Sequence, residues 1–204
     1  MHPSRTKQFI SILLIAAGAC LLFQGARIFF ASRLGQTVAR KEFQQPEPPR
    51  AHRAPVRPQL GDTVAKLLIP RLGTQLYVVE GVDAGDLRRG PGHMPGTAMP
   101  GTDGNCVIAA HRDTHFRVLK DIKEGDDIIL QTHDGEFLYR VKNTHIVLPT
   151  NTASIQRTST PELHLITCYP FYYVGNAPKR FIVKAELAGS LTAGSLSASL
   201  IPHS

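Results

Sequence analysis

Short runs of alternating apolar and polar residues, separated by turn-forming residues, limit most strongly how this chain folds. Such runs predict β-strands, because successive side chains of a strand point to opposite faces of a sheet. The segments between them are rich in turn formers, and the chain has 17 Gly and 15 Pro in 204 residues. The predicted strands are 64–69, 75–80, 105–110, 127–132, 136–148, 163–167 and 180–187. Short strands at this spacing favour a mainly β fold, a barrel or a sandwich, with short helices predicted at 83–89 and 115–122.

An apolar segment near the N-terminus predicts a membrane-spanning helix. From Phe9 to Ala26 the chain has no charged side chain, and about 17 to 25 residues of α-helix cross a bilayer core. Arg5 and Lys7 precede the segment, so the positive-inside rule places the N-terminus in the cytoplasm and the rest of the chain outside. Two alternatives stay open: a signal peptide cleaved near residues 17–19, and a lipoprotein signal with Cys20 as the first mature residue. The apolar run continues after Cys20, which favours an uncleaved anchor.

Composition divides the chain into four parts. Residues 1–35 are interpreted as the cytoplasmic N-terminus and membrane anchor. Residues 36–61 contain many prolines and few aliphatic residues and predict an extended linker. Residues 62–188 contain all the predicted strands and are expected to form one folded β domain. Residues 189–204 are small and polar and predict a disordered tail.

The charge of the chain indicates a membrane surface as its neighbour. The formal net charge is +7, and the surplus basic residues flank the apolar segment and continue into the Pro-rich linker. From residue 60 onward the chain is closer to balanced. Such a distribution fits proximity to anionic lipid. No zinc-finger spacing or RNA-binding aromatic motif is present, so no nucleic-acid partner is expected.

Cys168 ends one of the predicted strands, in the sequence LHLITCYPF, and four interpretations of it compete. An isolated cysteine is often a small buried apolar residue. In an extracytoplasmic domain it can form a disulfide, here with Cys106, the other cysteine of the domain. Metal binding has weak support, because His111 and His115 lack the glutamate of the usual helical zinc motif. The fourth interpretation is a catalytic nucleophile.

A cysteine nucleophile needs partners, because an ordinary thiol is mostly protonated at neutral pH. A histidine or a cation nearby activates it, and acyl transfer also needs a donor for the developing oxyanion. His111 follows the predicted strand 105–110, and Arg180 opens the strand after Cys168. If the strands on either side of the intervening turn pair antiparallel, Cys168 and Arg180 meet at one rim of the sheet. The residues alone leave open whether His111 reaches that rim.

Three segments together resemble the sortase family of cysteine transpeptidases, and most of all its class D. They are GPGHMPGTAMPGTDGNCVIAAHRDTHF, LHLITCYPF and NAPKRFIV, in the order and spacing of the family. The resemblance extends over residues 64–187 and implies a closed eight-stranded β-barrel. It also implies Cys168 as the nucleophile, His111 as the acid and base, and Arg180 as the cation that stabilises the oxyanion. The strand before the cysteine departs from the leading Thr-Leu of the family.

The resemblance further implies a substrate and a location. The implied substrates are surface proteins with a C-terminal sorting signal of the LPxTG type, cleaved after Thr, and an amine acceptor from a peptidoglycan cross-bridge or a pilin lysine. The implied location is the cell membrane, crossed once, with the domain outside. No cofactor or metal is expected; some sortases use calcium, but Glu124, Asp126 and Asp127 are interpreted as a solvated turn. A hydrolytic cysteine peptidase and an inactive β module are the alternative functions.

Overall fold

The computed structural model describes residues 5–45, 58–173 and 175–192. Most of the predicted linker, 46–57, and most of the predicted tail, 193–204, lie outside the described residues. The described residues include three short 3₁₀ helices, Pro70–Leu72, Arg117–Asp121 and Ala153–Ile155. The α-helices and strands are α1 (Arg5–Gln44), β1 (Thr63–Ile69), β2 (Thr74–Glu80), α2 (Ala84–Arg89), β3 (Gly92–His93), β4 (Asn105–Ala109), β5 (Asp127–Gln131), β6 (Gly135–Val147), β7 (Glu162–Tyr169) and β8 (Lys179–Thr192).

The strands close into one barrel in the order β1-β2-β3-β4-β7-β8-β6-β5. Neighbouring strands are antiparallel except for the parallel pairs β2–β3 and β4–β7. The closed eight-stranded barrel that the resemblance implies is thus confirmed. The sequence pattern missed β3, because a strand of two residues, Gly92 and His93, is too short to show alternation.

The barrel interior is filled with side chains. Burying each large aliphatic side chain stabilises the fold by roughly 1.5–3 kcal/mol relative to leaving it exposed. The buried hydroxyl of Tyr139 accepts a hydrogen bond of 2.8 Å from the backbone N–H of Gly101, which offsets the cost of burying that oxygen. The largest fully buried side chains are Tyr139, Phe116, Leu67, Ile69, Ile108, Leu119, Ile128, Leu130, Leu163, Leu165, Ile182 and Val78. Reactive groups are therefore expected at the rims of the barrel.

The two rims of the barrel carry different segments. At one rim β1, β4, β6 and β7 end and β2, β3, β5 and β8 begin. Cys168 lies close to this end of β7, and the rim is called the Cys168 rim below. The opposite rim carries the turn between β5 and β6 and the first residue of β1, Thr63.

Helix α1 contains a candidate membrane span. Its part Gln8–Arg27 has a mean hydropathy of 2.2 and is 0% buried, so by length and composition it can cross a bilayer. The helix continues through Gln44 and therefore includes residues 36–44, which the sequence placed in an extended linker. The first proline of that segment is Pro46, so nothing in the sequence breaks the helix earlier.

The second half of α1 packs on the outside of the barrel. The Gln36 side-chain amide donates to the backbone carbonyls of Tyr77 (2.9 Å) and Arg89 (3.0 Å) and accepts from the N–H of Tyr77 (2.7 Å). Ala39 is completely buried, and the ring of Phe43 contacts that of Tyr77 at 5.9 Å. These tertiary contacts stabilise the helical conformation of residues 36–44.

The last strand is longer than predicted. β8 continues to Thr192, which pairs with Gly135 at the start of β6. Residues 189–192, predicted as the beginning of the tail, are therefore part of the sheet. Their composition shows no strand pattern, and it is the long partner strand β6 that supplies their hydrogen bonds.

Candidate active site

Strands β7 and β8 place Cys168 and Arg180 directly opposite each other. The two strands are antiparallel, and Cys168 is the register partner of Arg180. Both residues are half-buried, whereas Leu165 and Thr167, earlier in β7, are buried. Cys168 therefore lies where β7 passes from the core to the rim, and the antiparallel ladder brings the backbone of Arg180 to the same place.

A parallel ladder brings His111 to the same rim. In the β4–β7 pair Ala109 is the register partner of Ile166. The next residue, Ala110, continues the pairing, because its N–H donates to the Ile166 carbonyl (3.1 Å) and its carbonyl accepts from the Thr167 hydroxyl (2.7 Å). His111 follows at once and lies half-buried beside the end of β7. The backbone thus gathers the three residues named from the sequence at one rim.

The side chains of this group make few hydrogen bonds with the protein. Arg180 Nη1 donates to the carbonyls of Ala177 (3.3 Å) and Lys179 (3.1 Å), both in or next to the loop between β7 and β8. In the part of the chain that the structure describes, the Cys168 thiol and the His111 ring have no hydrogen-bond partner. The three residues are therefore brought together by the pairing of their strands and not by hydrogen bonds between their side chains.

The structure also bears on the other interpretations of Cys168. Cys106 and Cys168 are both free, so the disulfide between them is not formed. Cys168 is half-buried, unlike Cys106, which is 1% exposed in the core. Among the described residues no group of three His, Cys, Asp or Glu side chains is arranged to hold a metal ion.

Arg112, the residue after His111, holds the loop between β7 and β8. Its Nη2 donates to the carbonyls of Tyr173 (2.8 Å) and Gly175 (3.1 Å), and its guanidinium lies 5.7 Å from the Tyr173 ring centre. The segment carrying His111 and the loop that separates Cys168 from Arg180 are therefore tied together. Sequence reasoning missed this role, because no local pattern shows where a loop of this length folds back.

A second histidine lies close to the site but is inaccessible. His115 is buried, and burial together with the nearby His111 lowers its pKa to about 4, with Asp113 opposing the shift. His115 is therefore neutral near pH 7 and adds no positive charge beside His111.

Another cysteine, histidine and acid meet inside the barrel wall. His93 Nδ1 lies 2.6 Å from Glu80 Oε2, and its Nε2 lies 3.0 Å from the Ala98 carbonyl. Both ring nitrogens thus face acceptors, an arrangement that suits a doubly protonated imidazolium. Burial lowers the pKa of His93, but Cys106 and Glu80 raise it more strongly, to about 10. This group of Cys106, His93 and Glu80 is called the buried triad below.

Two of the three acidic residues considered for calcium, Asp126 and Asp127, are paired with arginines. Asp126 is buried and forms a bidentate pair with Arg71, one contact of which is 2.6 Å, and this pair lowers the pKa of the carboxyl. Asp127 pairs with Arg140 at 3.0 Å. The interpretation of Asp126 as part of a solvated turn is therefore wrong, since its carboxylate is buried against a guanidinium.

Comparison with known proteins places this barrel in a family. The family model of the sortase domain matches residues 67–188. The chain is 35% identical to sortase D of Bacillus subtilis (strain 168) over 191 residues, which cover 87% of this chain and 96% of that protein. The structure is similar to that of a Clostridium perfringens sortase D5 transpeptidase, with a TM-score of 0.66 and 26% identity over 78% of this chain and 99% of that one. It is also similar to the catalytic domain of B. anthracis SrtD, with a TM-score of 0.58 and 32% identity over 70% and 99% of the two chains.

A closed eight-stranded barrel with a cysteine at the end of one strand, matched over most of its length by these relatives, defines a cysteine transpeptidase. The chain belongs to the sortase family.

Proposed function

We propose that this sortase is anchored in the membrane by α1 and that Cys168, His111 and Arg180 carry out its acyl transfer. The substrate of the first step is a surface protein with a C-terminal sorting signal of the LPxTG type. The observation that most supports the assignment is the register of Cys168 opposite Arg180, with His111 directly after the β4–β7 pairing. The apolar, unburied segment Gln8–Arg27 supports the anchor.

The first half of the reaction forms a thioester. The Cys168 thiolate attacks the carbonyl carbon of the Thr in the sorting signal, and the carbonyl electron pair moves to oxygen. Arg180 stabilises this oxyanion, because a guanidinium is always protonated and Nη2 and Nε make no hydrogen bond within the described residues. When the intermediate collapses, the C–N bond to Gly breaks, and His111 gives its proton to the departing amine.

The second half transfers the acyl group to an amine. The acceptor is an amine of a peptidoglycan cross-bridge or a pilin lysine. As it attacks the thioester carbon, the neutral His111 removes a proton from the amine. Collapse of the second intermediate expels the Cys168 thiolate and leaves a new amide bond. The thiolate and the protonated histidine are restored, so the cycle needs no external oxidant or cofactor.

Mass spectrometry of the full chain in detergent tests this assignment. The protein is incubated with an LPxTG peptide, with and without a glycine-based amine, and quenched in acid. We expect a thioacyl adduct on the peptide that contains Cys168, and a ligated product when the amine is present. An adduct on Cys106 or Cys20 instead contradicts the choice of nucleophile.

The same experiment separates the alternative functions. A hydrolytic peptidase yields the free acid at an unchanged rate whatever the amine concentration. An inactive β module yields neither adduct nor product with any sorting-signal peptide. A transpeptidase shifts from acid to amide as the amine concentration rises, which is the outcome we expect.

A further inference from the structure

The Cys168 rim carries an exposed group of tyrosines and basic residues. Tyr172 is 70% and Tyr173 48% exposed, both in the loop that follows β7. Arg117 and Lys120 lie beside the Tyr172 ring, at 5.5 and 5.9 Å from its centre. Together with Arg112, which contacts Tyr173, these residues are called the rim patch.

The rim patch has a net positive charge but is not free of acids. Asp121 lies 3.6 Å from Lys120, and Asp113 is exposed in the same segment. Lys120 also donates to the Tyr172 hydroxyl at 3.2 Å, so Tyr172 contacts two cations. Tyrosines and basic residues side by side are typical of the water–bilayer interface, where the rings lie at headgroup depth and the cations contact lipid phosphates.

The course of α1 brings the Cys168 rim toward the membrane. At its C-terminal end, Phe43 contacts His133 (5.0 Å), in the turn of the opposite rim. Two turns earlier, Gln36 binds the backbone of Tyr77, in the middle of β2, and the ring of Tyr77 extends back to Phe43. Followed backwards, the helix therefore runs from the opposite rim toward the Cys168 rim. The nine residues from Gln36 back to Arg27, the end of the span, add about 13 Å in that direction along the helix.

The barrel also lies against α1 where the span ends. A groove between α1 and Arg88 of α2 begins within the span and continues beyond it, and its α1 lining is Cys20, Phe23, Gln24, Ala26, Arg27, Phe30 and Ala31. In addition, a Cβ on Gly35 would lie 2.5 Å from the backbone of Arg89, so no side chain separates the two helices. Helix α2 thus contacts α1 close to Arg27, the end of the span, so no free linker separates the barrel from the span.

From this geometry we propose that the rim patch rests on the outer surface of the same bilayer that α1 crosses, with Tyr172 and Tyr173 among the lipid headgroups. The partner is anionic phospholipid, since the patch offers aromatic rings together with cations. The inference rests on the membrane anchor of the proposed function. It adds that Cys168 works at the bilayer surface.

Tryptophan fluorescence of the full chain in nanodiscs tests this orientation. The chain contains no Trp, so Tyr172→Trp creates a single reporter in the rim patch. The discs contain phosphatidylcholine and phosphatidylglycerol, with or without bromine on the acyl chains near the glycerol. We expect Tyr172→Trp to lose most of its emission in the brominated discs, because bromine quenches only nearby indoles.

Two further single-Trp variants serve as controls. Phe23→Trp lies in the span and reports insertion of α1. Leu60→Trp replaces an exposed residue next to Gly61, which bonds to Glu80 near the opposite rim, and is expected to keep its emission. If Phe23→Trp is quenched and Tyr172→Trp is not, the inference is wrong while the anchor stands. Equal quenching of Leu60→Trp and Tyr172→Trp also overturns it, and an unquenched Phe23→Trp removes the anchor and the inference together.

The charges of the rim patch are tested in the Tyr172→Trp background. Replacing Arg117 and Lys120 by Gln is expected to reduce quenching in discs with phosphatidylglycerol and to leave it unchanged in discs of phosphatidylcholine alone. Quenching that stays the same in both kinds of disc contradicts the choice of anionic lipid.

Discussion

Two groups of the same barrel contain a cysteine, a histidine and a charged residue, and only one of them is suited to react with a substrate. In the buried triad, Glu80 is 6%, His93 2% and Cys106 1% exposed, and both nitrogens of the histidine face acceptors. At the Cys168 rim, Cys168, His111 and Arg180 are half-buried.

The difference lies in access and in open hydrogen-bonding capacity. A histidine whose two ring nitrogens are both occupied has no site for a substrate proton, and a thiol in the core meets no peptide. The buried triad therefore joins β2, β3 and β4. The side chains of Cys168, His111 and Arg180, in contrast, have unused hydrogen-bonding capacity that is available to the intermediates of acyl transfer. Residue types alone do not separate these two roles.

The largest expected effect comes from removing each sulfur in turn. Cys168→Ala is expected to lower transpeptidation on the order of 10⁴-fold or more, because the thioester no longer forms. Cys106→Ala is expected to leave kcat unchanged and to lower the free energy of unfolding by roughly 1 kcal/mol through a small cavity. Amide product is followed by chromatography, and unfolding by circular dichroism. A folded Cys106→Ala that is as inactive as Cys168→Ala contradicts the comparison.

The next effect concerns the cation of the rim group. Arg180→Gln is expected to lower kcat by about 10²–10³-fold, the usual cost of losing one oxyanion donor. Arg180→Lys keeps the charge but not the planar fork, so we expect an intermediate kcat. Arg140→Gln is the matched control, because Arg140 is exposed and pairs with Asp127 on the outside of the barrel. If Arg180→Gln and Arg140→Gln have the same kcat, Arg180 does not stabilise the oxyanion.

Much of the barrel was predictable from the sequence because alternation is a local signal. All seven predicted strands coincide with strands of the structure, within about five residues at their ends. Three features were not predictable in this way: β3, the continuation of α1 beyond residue 35, and the end of β8. Each depends on a partner elsewhere in the chain: β4 for β3, the outer face of β2 for α1, and β6 for the end of β8.

The rim group was predictable in part. Antiparallel connection of two strands through a turn is enough to bring Cys168 and Arg180 together, and the register agrees with that expectation. The position of His111 depends on the parallel pairing of β4 with β7, which are far apart in the chain, so only the family resemblance indicated it. The roles of the three residues stay predictions until the kinetics above are measured.

The third prediction concerns the contribution of the buried triad to the stability of the fold. Glu80→Gln is expected to lower the free energy of unfolding by about 2 kcal/mol, because a hydrogen bond to a charged, buried group is lost. Glu186→Gln is the control, since Glu186 pairs with Lys142 (3.1 Å) on the surface and such pairs contribute about 0–1 kcal/mol. Both variants are expected to keep the parent kcat below their unfolding temperatures. A Glu80→Gln protein with parent stability and reduced kcat would instead assign the buried triad to catalysis.

The smallest expected effect is the pH dependence of this stability difference. Burial lowers the pKa of His93, but contacts with Cys106 and Glu80 raise it from 6.5 to about 10. The folded protein thus holds the proton more tightly than the unfolded chain. The stabilisation is complete below pH 6.5 and is lost as the pH rises through about 10. The difference between parent and Glu80→Gln should narrow over that interval, by at most about 1.4 kcal/mol per pH unit.

The pKa shift of His115 has the opposite sign to that of His93, so its contribution to stability changes with pH in the opposite direction. Its pKa is lowered from 6.5 to about 4, chiefly by burial, so its stabilisation is complete above pH 6.5 and is lost as the pH falls through about 4. His115→Gln should therefore flatten only the acidic side of the stability profile, and Glu80→Gln only the alkaline side. Chemical denaturation of the three proteins at intervals from pH 4 to 10 measures both. If the parent and Glu80→Gln profiles stay parallel above pH 6.5, the Glu80 carboxylate does not hold the proton on His93, and the contrast with His111 must then rest on access alone.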